Sequence, residues 1–355
     1  VAAIDPLLVY VKENDGSDLH LVAEQPPRFR AKGSIGVIEG QEVLTNDALR
    51  AMMQEVASTR GWEEYETSGD LDFAFSLDGV ARFRANFFVQ QTGAACVFRI
   101  IPEDIVSLED LNMPKAVCDL ADLKEGLVLV TGPTGSGKST TLAAIIDKIN
   151  KTYSRHVVTI EDPVEFVHQN RNCLFSHREV GLHTQGFGPA LRSAIRQDAD
   201  VILVGEMREM ETISLAVTAA EMGMLVFGTL HTNNAAKTID RIIDAFPAEE
   251  QNMVRLSLSE SLAAVVSQLL LPRADSSGRI AANEILLKSP GLPNIIREGN
   301  TPMISQIIQA GKSQGMQSMD DVLFAYAKEG KVTPHDAYMK ATDKSRFEPM
   351  LSPEG

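Results

Sequence analysis

Cysteine is scarce: three in 355 residues, at positions 96, 118 and 173. They are too few and too scattered for a disulfide framework or a four-cysteine zinc site within the chain, and they suit a reducing compartment. Long apolar runs are missing too. No stretch approaches the roughly 20 residues that span a bilayer; the run ending Leu269-Leu270-Leu271 is too short. The first residues carry acids and no basic segment, so no secretory leader is expected. Positive charge is in deficit, with 33 Lys and Arg against 48 Asp and Glu and a formal net charge of −15. Bulk electrostatics therefore oppose nucleic acid as a partner. No internal repeat and no low-complexity segment is present. The remainder is ordinary globular composition, long enough for two domains that each bury a core.

What is present is a phosphate-binding pattern. Gly132, Pro133, Thr134, Gly135, Ser136, Gly137, Lys138 and Ser139 run in order, and Thr140 follows. Backbone N–H groups in such a loop point inward around nucleotide phosphates. Lys138 adds a point charge at the β/γ position, and Ser139 offers its hydroxyl to Mg²⁺. The flanks fit this reading. Leu127-Val128-Leu129-Val130 reads as a buried parallel strand, and Leu142, Ile145, Ile146 and Ile149 recur at helical spacing. The pattern predicts nucleotide binding and leaves open what the nucleotide drives.

The chain divides into an α+β domain over 1–101, a proline-bracketed acidic linker over 102–114, and a domain over 115–355. In the first, Leu7, Leu8 and Val11 mark a short helix, 18–22 a strand, and Thr45 or Asn46 caps a helix through Val56. Three β-rich runs follow at 71–77, 80–89 and 94–101, with Asp78-Gly79 as a hairpin turn. One helix over one antiparallel sheet is the expected module. In the second domain, strands at 127–131, 157–161, 201–205 and 225–230 alternate with helices, which implies a mostly parallel sheet. Beyond Pro272 short helical segments are expected. The candidate catalytic groups lie at strand C-terminal ends, where open α/β sheets bind ligands.

Glu161, Asp162 and Glu165 stand at the end of the 157–161 strand, and hydrolysis needs a carboxylate to orient water and others to hold hydrated Mg²⁺. A solvated acidic turn is the alternative. Glu206 ends the next apolar strand, with Gly205 where many nucleotide hydrolases place aspartate. Contact with Mg²⁺ through water and positioning of the nucleophile are both open roles for Glu206. His231 ends the 225–230 strand and is placed to contact a γ-phosphate, or is structural. Arg192 and Arg196 are four apart on an expected helix. Like charges at this spacing ask for an anionic partner, either a ligand or Asp198 and Asp200. Arg82, Arg84 and Arg99 sit on strands of the first domain; Arg82 and Arg84 share one face. A lid over the nucleotide and a solvated sheet face are both open readings.

Together 132–139, 159–166, 205–208 and 228–232 resemble the Walker A, Asp box, Walker B and His box of the secretion ATPase superfamily, nearest to its type IV pilus retraction (PilT-like) branch. The segments 16–21 and 315–317 also resemble that family. The resemblance implies a PAS-like N-terminal domain, a RecA-like ATPase domain with C-terminal helices, and a ring-shaped homohexamer that binds ATP and Mg²⁺. It makes Glu165 the catalytic base and gives Glu206 the Walker B role. It matches Arg84 and Arg99, fifteen apart, to an arginine pair that reaches phosphate, and Arg192 and Arg196 to a second pair. It implies a cytoplasmic motor, peripheral at the inner membrane, that acts on a polytopic platform protein, with an accessory retraction ATPase as an optional partner. Met224 stands where the family has a histidine. The segment 291–298 keeps only the second half of the retraction motif, and Pro293 is placed to cap or interrupt its helix. A PilU-like accessory ATPase, an extension or type II secretion ATPase, and a weakly hydrolysing nucleotide-binding regulator are the alternatives; a DNA-translocating motor is disfavoured by charge.

Overall fold

The computed structural model describes residues 2–31, 33–101 and 104–351. It divides into two compact units: Val1–Asp104 with Pro163–Val167, and Ile105–Asp162 with His168–Gly355. Pro102 and Glu103, at the start of the expected linker, lie outside the described residues; 104–114 contains turns and no helix.

The first unit is built on a six-stranded antiparallel sheet. Its strands are β1 (Gly16–Val22), β2 (Arg28–Ala31), β3 (Ser34–Val37), β4 (Asp70–Leu77), β5 (Ala81–Gln90) and β6 (Gly93–Ile101), in the order β3-β2-β1-β6-β5-β4. Three helices accompany it: α1 (Asp5–Glu13), α2 (Asn46–Val56) and α3 (Thr59–Ser68). Two of these stand where the sequence places helices, α1 around Leu7, Leu8 and Val11 and α2 through Val56, so the single helix expected over the sheet is corrected by the addition of α3. The side chain of Thr45 caps α2 by accepting from Ala48 N at 3.2 Å. The missed α3 shows little apolar periodicity; Ser58 caps it and Gly69, at φ 82°, ends it. Strand alternation decides the two faces of β5. Ala81, Phe83, Ala85 and Phe87 are buried in the core, so Arg82 and Arg84 point the other way.

The second unit is a seven-stranded sheet. Its strands are β7 (Gly126–Thr131), β8 (His156–Glu161), β9 (Leu174–Glu179), β10 (Val201–Val204), β11 (Leu225–Leu230), β12 (Leu262–Pro272) and β13 (Arg279–Leu287), in the order β13-β12-β7-β11-β10-β8-β9. Every neighbouring pair is parallel except β12 with β13. The helices α4 (Lys115–Cys118), α5 (Lys138–Thr152), α6 (Phe187–Ala194), α7 (Met210–Glu221), α8 (Ala235–Ile243) and α9 (Gln251–Ser261) precede or connect these strands. The C-terminal part adds α10 (Leu292–Glu298), α11 (Ile304–Ala310), α12 (Met319–Lys328) and α13 (Pro334–Lys340). The chain beyond Pro272 therefore begins with a strand, β13, before it turns helical. Cores cover both faces of the sheet: Leu127 and Leu129 of β7 enter one, Val128 and Val130 the other.

This is the expected α/β class: a small α+β unit, then a RecA-like P-loop sheet with a helical C-terminal extension. Among the described residues no helix is long and apolar enough to cross a membrane.

Candidate active site

The sheet order decides what surrounds the glycine loop. The loop leaves β7, whose neighbours are β11 and β12; β10 lies one strand beyond β11. With neighbouring strands about 4.8 Å apart, the ends of β7 and β10 are separated by roughly 10 Å. That leaves room for a phosphate chain between them.

The loop runs into α5 through glycines in left-handed or extended positive-φ geometry: Gly132 at 145°, Gly135 at 77° and Gly137 at 85°. Two of these positions are also closed sterically. A Cβ on Gly132 would lie 2.3 Å from Gln268 O, and one on Gly137 would lie 2.9 Å from Gln268 Nε2. Lys138 Nζ donates to Gly132 O at 2.9 Å and to Pro133 O at 3.2 Å, so its charge lies at the loop itself. Pro133 and Thr134 are exposed, Ser136 is buried, and Ser139 and Thr140 are half-buried in the first turn of α5. Ser136 Oγ is buried without a hydrogen-bond partner among the described residues.

Gln268 was not singled out by the sequence. Buried on β12, it donates from Nε2 to Ser136 O at 2.6 Å and accepts at Oε1 from Thr141 Oγ1 at 2.9 Å. One side-chain amide thus clamps the loop to the first turn of its helix. Its neighbour Ser267 shares a 2.8 Å hydrogen bond with Thr131 Oγ1 at the foot of the loop. A lone Gln in an apolar run, more than 130 positions from the glycines, gives no local signal.

Glu206 follows β10 and is a carboxylate held at this end of the sheet. His231 Nε2 lies 2.8 Å from its Oε1, and Arg208 Nε pairs with the same oxygen. The ends of β10 and β11 are joined by Met207 N donating to Thr229 O at 3.0 Å. Gly205 has a steric reason: a Cβ there would meet Ile160 O and Glu161 Cα at 3.2 Å, so β8 presses against β10 where other hydrolases place aspartate. Glu165 is exposed on the chain after β8, within the segment grouped with the first unit. Glu161 is half-buried and Asp162 exposed.

The arginine pairs fare differently. Arg84 and Arg99 are direct partners in the β5–β6 register, so they lie side by side on one face. Like charges opposite each other are destabilising, and each arginine is offset by a carboxylate. Arg84 makes a two-pronged contact with Asp72, at 3.2 and 3.0 Å. Arg99 Nε donates to buried Asp18 at 2.7 Å. Burial pushes the Asp18 carboxyl up, but bonds from Ser17 and Arg99 outweigh it and leave its pKa below the ordinary value. Arg192 pairs with Glu211 on α7, a carboxylate that neither open reading, a ligand or Asp198 and Asp200, had named. Asp200 instead accepts from His156 N at 2.8 Å. Arg196 lies beyond the end of α6 and is exposed.

The departures from the family pattern have structural readings. Met224 packs half-buried against the core, and its carbonyl accepts from Gly126 N at 3.0 Å. Pro293 occupies the first turn of α10, where proline is compatible with a helix, and does not interrupt it.

A glycine loop between a buried strand and a helix, with a carboxylate held two strands away, defines a P-loop protein of the RecA-like class. The family model described as Type II/IV secretion system protein matches residues 1–323, and the chain belongs to that family. It is 47% identical over 344 residues to the type IV pilus retractation ATPase PilT of Pseudomonas aeruginosa, covering 97% of this chain and 99% of that one. It is 49% identical over 315 residues to a twitching motility protein of Neisseria gonorrhoeae, covering 89% of this chain and 84% of that one. A crystal structure of the pilus retraction motor PilT with bound ADP superposes with a TM-score of 0.91 at 40% identity, covering 98% of this chain and 99% of that one.

Proposed function

We propose that this chain is an ATP-hydrolysing motor that drives type IV pilus retraction as a homohexamer at the cytoplasmic side of the inner membrane. The observation that carries the hydrolytic part is Glu206, held by His231 and Arg208 two strands from a complete phosphate loop. Similarity to retraction ATPases over nearly the whole length supports the direction of work.

In this reading the N–H groups of 132–137 and Lys138 bind the phosphates, and Ser139 and Thr140 complete the pocket. Glu165 serves as base for the attacking water. The donor set fits Mg²⁺: the Ser139 hydroxyl stands at the first turn of α5, and Glu206 is a carboxylate suited to contact through water. When bound, the ion would neutralise charge that develops on the phosphates. His231 orients Glu206. Arg84, Arg99, Arg192 and Arg196 contact phosphate from their own elements, exchanging carboxylate partners where they have them. The domain division is 1–101, a linker over 102–114, and 115–355. The partner is a polytopic inner-membrane platform protein, with an accessory retraction ATPase alongside; nucleic acid is not bound.

Steady-state phosphate release by wild type and Glu165→Gln tests the enzyme. Activity in the wild type and its loss in the variant are expected. An inactive wild-type hexamer that still binds ATP would point to a regulator. Deleting the native gene tests direction: cells should keep surface pili that fail to retract, and bald cells would overturn the assignment. Retained retraction would indicate the accessory role.

A further inference from the structure

The turn that carries His231 is fixed at both ends. It leaves β11 after Leu230 and enters α8 at Ala235, whose N–H donates to Glu284 Oε1 at 2.8 Å. Glu284 lies on β13, opposite Ser267 of β12; Ser267 is opposite Thr131 of β7, and Thr131 is opposite Leu230 of β11. These four residues form one row across the sheet at the foot of the phosphate loop. The residue after Leu230 is His231.

The C-terminal chain is tied to the same place. Ile285 N donates to Gln317 O at 2.9 Å, and Gln317 N donates to Ile285 O at 3.2 Å. Gln317 Nε2 donates to Asn283 O at 2.7 Å. Glu284 sits between these anchors, and the N–H of Met319, first residue of α12, acts on its carboxylate to favour the charged form. One half-buried carboxylate therefore faces the starts of two helices, where backbone N–H groups and the helix dipoles favour negative charge. Burial pushes its pKa above the ordinary value. Packing alone would be served at less expense in desolvation by an apolar side chain.

We infer that Glu284 is a positioning residue that seats the His231 turn against Glu206 and ties it to α12, so that the nucleotide site and the C-terminal helices respond together. The inference rests on the ATPase reading above for its kinetic consequence. Its structural consequence stands apart from that reading. Cutting the tie at Glu284 should leave the phosphate loop intact, because the loop is clamped separately by Gln268.

Full-length Glu284→Ala and Glu284→Gln test it. Glutamine keeps the size and one acceptor; alanine removes both. The alanine variant should lose about tenfold or more in kcat with KM and fluorescent-ADP affinity within twofold of wild type, the signature of a lost transition-state contact. The glutamine variant should retain most of the activity. By hydrogen exchange, ADP should slow exchange across α12 in wild type and fail to do so in Glu284→Ala. Wild-type kcat in the alanine variant, or ADP-dependent protection of α12 that survives in it, would overturn the inference. If Glu284→Ala does not fold, the same exchange comparison on Glu284→Asp, whose shorter arm draws the carboxylate back from Ala235 N–H, decides it. An inactive wild type would count against the ATPase reading alone, since the exchange comparison uses only ADP binding.

Discussion

His231 Nε2 stands 2.8 Å from Glu206 Oε1, and Arg208 engages the same oxygen. Oε2 accepts no hydrogen bond among the described residues. The carboxylate is oriented by one oxygen and presents the other. Replacing Glu206 by Gln should reduce the rate of phosphate release by about 10²-fold or more, as for loss of a positioned acid–base group. His231→Ala should cost less, about tenfold, because Arg208 still orients the carboxylate. Steady-state kinetics with nucleotide affinity measured in parallel would separate the two. Equal and negligible effects would remove this pair from catalysis.

Gln268→Leu keeps the approximate volume but leaves Ser136 O and the Thr141 hydroxyl without their buried partner. Each unsatisfied group costs about 1–3 kcal/mol. Nucleotide affinity should fall by about tenfold or more, since 1.4 kcal/mol is a factor of ten. Titration with a fluorescent nucleotide checks the binding, and urea unfolding checks that the fold survives.

The two arginines side by side on β5 and β6 should differ in stability effect. Arg84 and its partner Asp72 are both exposed, so Arg84→Ala should change stability by less than about 1 kcal/mol. Arg99→Ala leaves the buried Asp18 carboxylate only the Ser17 bond and Arg30 at 3.9 Å, and should cost more, about 1–2 kcal/mol. Because the folded pKa of Asp18 is lowered, the stabilisation is present above the ordinary carboxylate pKa and is lost as pH falls through the lowered value. Urea melts at pH 7 and near pH 3 should therefore bring wild type and Arg99→Ala closer together.

His168 is buried, stacks on Phe175 with ring centroids 5.0 Å apart, and has no partner for Nδ1 among the described residues. Burial, helped by the neighbouring His177, lowers its pKa from 6.5 to about 4. The unfolded chain takes up this proton first as pH falls, so stability is lost between about 6.5 and about 4. The sum over that window is about 3 kcal/mol, at 1.36 kcal/mol per unit. His168→Phe should flatten the acid limb of a stability–pH curve measured by urea unfolding. An unchanged limb would place the acid sensitivity elsewhere.

Much of the candidate site was legible because its signals are local. The glycines at 132, 135 and 137 announce themselves by spacing, and Glu206 and His231 end apolar runs that read as buried strands. What escaped was non-local or weakly periodic. The hydrogen bonds of Gln268 to Ser136 and Thr141 depend on β12 lying beside β7, a pairing that no window of sequence contains. Glu211 takes Arg192 because α7 packs on α6, whereas the neighbouring chain offers only Asp198 and Asp200 as local carboxylates. Strand β13 was missed because Gly and Pro punctuation surrounds it and its residues do not alternate cleanly between buried and exposed. The β2–β3 hairpin is short, and β3 is exposed along its whole length, so it lacks the buried stripe that marks a strand.

The antiparallel ladder of β12 and β13 runs from Ala264 opposite Leu287 to Pro272 opposite Arg279. Its hydrogen bonds lie across the strands. A pull on the C-terminal helices directed along β13 would load these bonds in shear, all at once, instead of peeling them singly. The strand that receives such a load, β12, carries the glutamine that grips the phosphate loop. Tension applied along β13 would therefore reach the glycine loop through a single strand.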